Sequence, residues 1–150
     1  MALFSILRGK APDRDLALRS LLTPVLFSLL AGDAMSDEQV SLLISYCRTS
    51  PLFADMTVEE IEALIADIRK ELLEADPDVT IPNAISVLTA PLKETSLALA
   101  VAVSHNGGSL SDEQNEVLEL LTEKMGVSED TMTVIKTATS LFQRDAVFAS

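Results

Sequence analysis

Gly32-Asp33-Ala34-Met35-Ser36-Asp37-Glu38-Gln39 returns 75 positions later as Gly107-Gly108-Ser109-Leu110-Ser111-Asp112-Glu113-Gln114, an offset of half the 150-residue chain. Each copy follows an apolar run that ends in a small residue, and each opens a run with helical periodicity. Within each copy Ser-x-x-Gln predicts a capping box, in which serine and glutamine side chains satisfy each other's free backbone amides at a helix start. The flanking glycine, the apolar residue before the serine and the order of segments on both sides also agree. The chain therefore reads as two similar all-helical halves, an internal duplication with pseudo-two-fold symmetry.

Seven helices follow from working outward. The first is expected over 14–31, begun at the Asp13/Asp15 region and stopped at Gly32. Its Leu18, Leu21, Leu22, Val25, Leu26, Leu29 and Leu30 cover so much of the circumference that it must be buried, with Pro24 kinking or dividing it. The second begins after Ser36 and runs to about Cys47, and a loop around Pro51 returns Leu52 and Phe53 to the core. The third is capped by Thr57 with Glu60, and its stripe Ile61, Leu64, Ile65, Ile68, Leu72 has amphipathic spacing. An acidic turn at Glu74–Asp78 marks the midpoint, and a short fourth helix follows Thr80 with Pro82 in its first turn. The fifth begins at Thr89-Ala-Pro91 and is apolar all round over Leu97–Val103, the counterpart of the first. His105-Asn106-Gly107-Gly108 ends it. The sixth buries Val117, Leu118, Leu121 and Met125 and stops at Gly126. The seventh, capped by Ser128, carries Met132, Ile135, Ala138, Thr139 and Phe142, with a frayed tail after Asp145. A single domain spans 1–150, with its core over 14–143 and residues 1–12 as an N-terminal extension.

Composition agrees with this class. Apolar residues make up 48% of the chain and aromatics only 4%, so aliphatic helix-on-helix packing fits better than a β-sandwich. The net charge of −12 is uneven: residues 1–30 hold four basic and two acidic side chains, and the other 120 hold 7 Lys+Arg against 21 Asp+Glu. A field of that sign repels phosphate backbones and excludes nucleic acid as the expected partner. It favours cations and basic partners. One cysteine, Cys47, gives no internal disulfide, and its neighbours Leu43, Ile44 and Tyr46 make it a small buried hydrophobe. No stretch has both the length and the uncharged character of a membrane span. A cytoplasmic protein is expected, with membrane contact open only to the basic, apolar residues 1–12 (Leu3, Phe4, Ile6, Leu7, Arg8, Lys10).

Catalytic motifs are missing. The chain has no Walker loop, no GxGxxG, no HExxH and no GxSxG. His105, the sole histidine, stands at a helix end, where it reads as a cap on free carbonyls. An enzyme is not expected. Oxygen ligation of a divalent cation, Ca²⁺ or Mg²⁺, is the one remaining chemistry, through Asp33, Asp37 and Glu38 around one repeated loop and Asp112 and Glu113 around the other. It requires the two loops to converge about the pseudo-two-fold axis. Acids in a helix's first turn are also explained by the macrodipole alone.

An apolar helix, a Gly-containing acidic loop, an aliphatic residue, a Ser cap and an acidic helix start together resemble the TerB-like family, bacterial proteins and domains linked with tellurite resistance and also found in some membrane-anchored J-domain co-chaperones. The segments that carry the resemblance are Leu30–Gln39 and Ser104–Gln114. The family's Asp-Gly appears here as Gly32-Asp33 and Gly107-Gly108, and its Glu as Gln39 and Gln114. The resemblance implies a TerB-like helical bundle over most of 14–143 and a non-enzymatic, stress-associated module. Such a module binds a metal cation or a protein partner through an acidic face. The alternative expectation is a co-chaperone-like adapter that docks on a membrane or partner through residues 1–12.

Overall fold

The structure, a computed structural model, describes residues 2–32, 35–105 and 110–142, with the backbone alone for 2–13, 32 and 142. Among the described residues there are seven α-helices, one 3₁₀ turn and no strand. The helices are α1 (Ala2–Gly32), α2 (Asp37–Thr49), α3 (Val58–Glu74), α4 (Pro77–Val87), α5 (Ala90–Ser104), α6 (Asp112–Met125) and α7 (Glu129–Phe142), with the 3₁₀ turn at Pro51–Phe53 between α2 and α3. No helix of the described residues is long and apolar enough to cross a membrane.

Helix starts lie where local chemistry supplies acceptors for free amides. At α2 the Gln39 N–H donates to Ser36 Oγ (3.1 Å) and the Ser36 N–H to Gln39 Oε1 (3.2 Å). The same reciprocal pair recurs at α6, between Ser111 and Gln114 (3.2 and 3.1 Å), and at α3, between Thr57 and Glu60 (3.1 and 3.2 Å). Ser128 Oγ accepts from Thr131 N–H at the start of α7. Gly126 ends α6 in the left-handed region (φ 67°), where its N–H reaches Glu123 O and the Val127 N–H reaches Thr122 O, a Schellman closure that only a residue tolerant of positive φ makes cheaply. Ser111→Ala is expected to cost about 1 kcal/mol, the usual value of a lost N-cap, read as a lower urea midpoint with unchanged slope. A midpoint equal to wild type would mean that the box is not formed in solution.

Two starts differ from expectation. Helix α4 begins at Pro77, not after Thr80: Asp76 Oδ1 accepts from the Asp78 N–H (3.0 Å), and Pro77 takes the first helical position, where no amide is needed. Pro82 therefore lies inside the helix. Helix α1 begins at Ala2, so residues 2–13 are continuous with it in backbone, through Gly9 and Pro12. Nor does Pro24 divide it.

The core is built around α1, which packs on α3, α4, α5 and α6. Leu18, Leu21, Leu22, Val25, Leu26 and Leu29 are all buried, five of them at 1% exposure or less. The second apolar helix, α5, supplies Leu97, Ala100, Val101 and Val103 to the same core, and amphipathic α3 adds Ile61, Ile65, Ile68 and Leu72. Phe53 is buried and Leu52 half-buried, as the anchor role required. On α7 only Met132 of the expected stripe is buried; Ile135 and Thr139 are half-buried, Ala138 is exposed, and the Phe142 side chain lies outside the described residues, as does the tail after Asp145. Arg19 links α1 to α3 through Asp67 and Glu71, and Arg14 links it to Asp55 (3.2 Å) and to the Leu52 carbonyl (2.9 Å).

Candidate functional site

Asp37 and Glu38 occupy the first turn of α2, Asp112 and Glu113 the first turn of α6, and all four are exposed. There they face the positive end of their own helix, which stabilises a carboxylate without any ligand. Helix α2 packs on α3, α5 and the 3₁₀ turn, whereas α6 packs on α1, α4 and α5. Among the described residues no three His, Cys, Asp or Glu side chains form a group that could hold a metal ion. Asp33, the fifth expected ligand, lies outside the described residues.

Cys47 and His105 are each the single residue of their type in the chain. Cys47 is fully buried on α2, and desolvation pushes its pKa up to about 12. Its thiol stays protonated at neutral pH and is a poor nucleophile. His105 is the C-cap of α5, where its N–H donates to the Val101 carbonyl (3.1 Å). The neighbouring Ser104 Oγ is buried without a hydrogen-bond partner among the described residues. The Arg19 pKa is raised, first by its hydrogen bond to Glu71 and also by Asp67, against the opposing effect of burial. A guanidinium so fixed is a strut between α1 and α3.

The surface feature with the makings of a binding site is an open groove of about 620 Å³ between α2 and α3. Its floor is apolar, with Met35 and Ile65 buried and Val40 and Ile44 half-buried. Leu73 stands on its wall at 68% exposure, the highest of the exposed large hydrophobics. Asp37, Glu62 and Glu74 rim it, with Arg69 and Lys70 among them. The groove exists because α2 and α3, joined through the 3₁₀ turn, bury different partners. Helix α3 turns Ile61, Ile68 and Leu72 into the core, while Glu62, Ala66, Arg69 and Leu73, spaced i, i+4, i+7 and i+11, form a separate face. The local signal for it was Leu73, an aliphatic residue outside the core stripe of its helix.

A second open groove, of about 660 Å³, separates α6 from α7. It is strongly acidic, with Glu119, Glu123 and Glu129 around Met132 and Val127 and a single Lys136. Compared with protein-family models, with curated proteins and with solved structures, the chain matches none.

Proposed function

We propose that the chain is a non-enzymatic, stress-associated TerB-like module, a duplicated helical bundle of the cytoplasm that works by holding a protein partner on its acidic face. The observation that carries the reading is the α2–α3 groove. An apolar floor gives a partner area to bury, an exposed Leu73 gives it an anchor, and a charged rim gives orientation. The duplication is supported by the identical Ser-x-x-Gln boxes 75 residues apart, each followed by two acids in the first turn. The TerB-like assignment and the stress association rest on the resemblance around those boxes.

A photo-crosslinking residue placed at exposed Ala66 inside the groove is expected to capture a defined protein, and Leu73→Asp is expected to abolish the adduct. The same residue at Leu120 on α6, exposed but outside the groove, is expected to give none. Equal capture from both positions would overturn the reading. Divalent cations are the other ligand class that the resemblance implies, so melting curves with Ca²⁺, Mg²⁺, Mn²⁺ and Zn²⁺ accompany the crosslinking. A ligand of the native state raises the melting temperature with concentration. A rise that disappears when Asp33 and Asp112 are both changed to Asn would move the function from the groove to the acidic loops.

A further inference from the structure

Of the seven large hydrophobic side chains exposed among the described residues, three, Leu16, Val79 and Val87, line one open cleft of about 320 Å³ between α1 and α4. One stripe of each helix forms it. Leu16, Ser20 and Thr23 stand at i, i+4 and i+7 on α1, and Val79, Asn83 and Val87 at i, i+4 and i+8 on α4. Both stripes set polar side chains beside apolar ones, and the Arg19–Glu71 pair lines the cleft next to them. The cleft shares no lining residue with the α2–α3 groove.

Its polar groups have bonding capacity to spare. Ser20 is only 4% exposed, yet no described residue gives its hydroxyl a hydrogen bond. Pro24 withholds an amide from the carbonyl of the same residue. Polar atoms buried in this way are costly unless water or a ligand meets them. Thr23 Oγ1 spends its proton on the Arg19 carbonyl, so its remaining capacity is to accept. Glu71 gives one carboxylate oxygen to Arg19 and keeps the other. The one cation of the lining, Arg19, is held by two carboxylates, Asp67 and Glu71, which leaves this edge of the cleft negative. An anion is therefore disfavoured. A ligand that donates hydrogen bonds, carries a positive charge and has a short aliphatic part fits the acceptors, the charge and the exposed Leu16, Val79 and Val87 together. The volume lies at the small end of ligand pockets, about 300–1,000 Å³.

We propose that the α1–α4 cleft binds small primary aliphatic amines in their ammonium form. The ammonium, with three N–H donors, serves Ser20, Thr23 and Glu71, and the alkyl chain lies on Val79 and Val87. Ser20 and Thr23 are one turn apart on α1, and Glu71 is tied to the same turn through Arg19.

Titration of the full chain with n-pentylammonium, followed in ¹H–¹⁵N correlation spectra, tests this. A saturable shift is expected, confined to the amides of 19–23 and 79–84, with a dissociation constant on the order of 1 mM for so small a ligand. Pentanoate, of the same length, is expected to leave those amides unmoved. Methylammonium is expected to bind about 10-fold more weakly or worse, because it covers no apolar surface. Ser20→Ala is expected to weaken pentylammonium about 5–10-fold, the scale of one lost hydrogen bond. Val79→Ser, at a position exposed to 57%, leaves the core untouched and is expected to weaken it about 3-fold. No saturable shift up to about 20 mM would overturn the proposal, since an affinity that weak leaves less than one hydrogen bond's worth of selectivity. An equal response to pentanoate, shifts spread over the whole acidic surface, or an affinity unchanged in both variants would overturn it as well.

Discussion

Shortening Leu26 to alanine is expected to lower the unfolding free energy by about 3 kcal/mol, a large-to-small change that adds a cavity to the lost transfer energy. Leu26 is fully buried in the apolar stretch of α1, the helix that packs on α3, α4, α5 and α6. Leu26 lies in a close-packed core, so the hole left by its side chain closes only in part. Against a total stability of about 5–15 kcal/mol, that is a large fraction. At this chain length it corresponds to a melting temperature lower by about 6–12 °C. Val134→Ala on α7, at 67% exposure, is the control and is expected to stay within about 0.5 kcal/mol of wild type. A Leu26→Ala loss below that of the control would remove α1 from the centre of the fold.

Much of this architecture is local and was therefore legible. Ser36, Thr57, Ser111 and Ser128 cap the helices that follow them because the atoms that satisfy the free amides lie within three residues. The apolar stripe of α3 needed only a period to be found. The misplaced boundaries are those where two local rules compete. Gly9 and Pro12 are both poor helix interiors, yet α1 runs through them. Thr80 and Pro82 offered one plausible start for α4 and Asp76 and Pro77 another; the second pairs a true side-chain cap with proline at the position where it costs nothing. The α2–α3 groove was not legible at all, apart from the stray Leu73. It depends on how two helices diverge, which is set by what each buries elsewhere. The acidic turns show the reverse case: they were conspicuous in sequence, and in the structure Asp37, Glu38, Asp112 and Glu113 lie in the first turns of their own helices.

Pro24 shows the same limit from the side of energetics and leads to the second large expected effect. A proline inside a helix withholds its amide from the carbonyl four residues back, here that of Ser20, and its ring crowds the ladder there. Helix α1 nevertheless continues past it. The adjacent carbonyl, that of Leu21, accepts a 2.7 Å hydrogen bond from Ser96 Oγ of α5, a donor 75 residues away that is itself fully buried. One turn earlier, Thr23 Oγ1 donates to the Arg19 carbonyl (2.8 Å). The stretch of α1 before Pro24 thus receives hydroxyl donors from its own chain and from its neighbour, and the Ser96 bond also pins the two central apolar helices in register. Ser96→Ala is expected to cost about 2 kcal/mol, the scale for removing one partner of a buried hydrogen bond. Pro24→Ala returns an amide to the Ser20 carbonyl, next to the one that Ser96 serves, and removes the ring that crowds the ladder beside it, so the two substitutions should not add. A double-mutant cycle is expected to show a coupling of about 0.5 kcal/mol or more, with Ser96→Ala less harmful in the Pro24→Ala background. Strict additivity would mean that Ser96 only fills space against α1, and that its hydroxyl does not compensate for the proline.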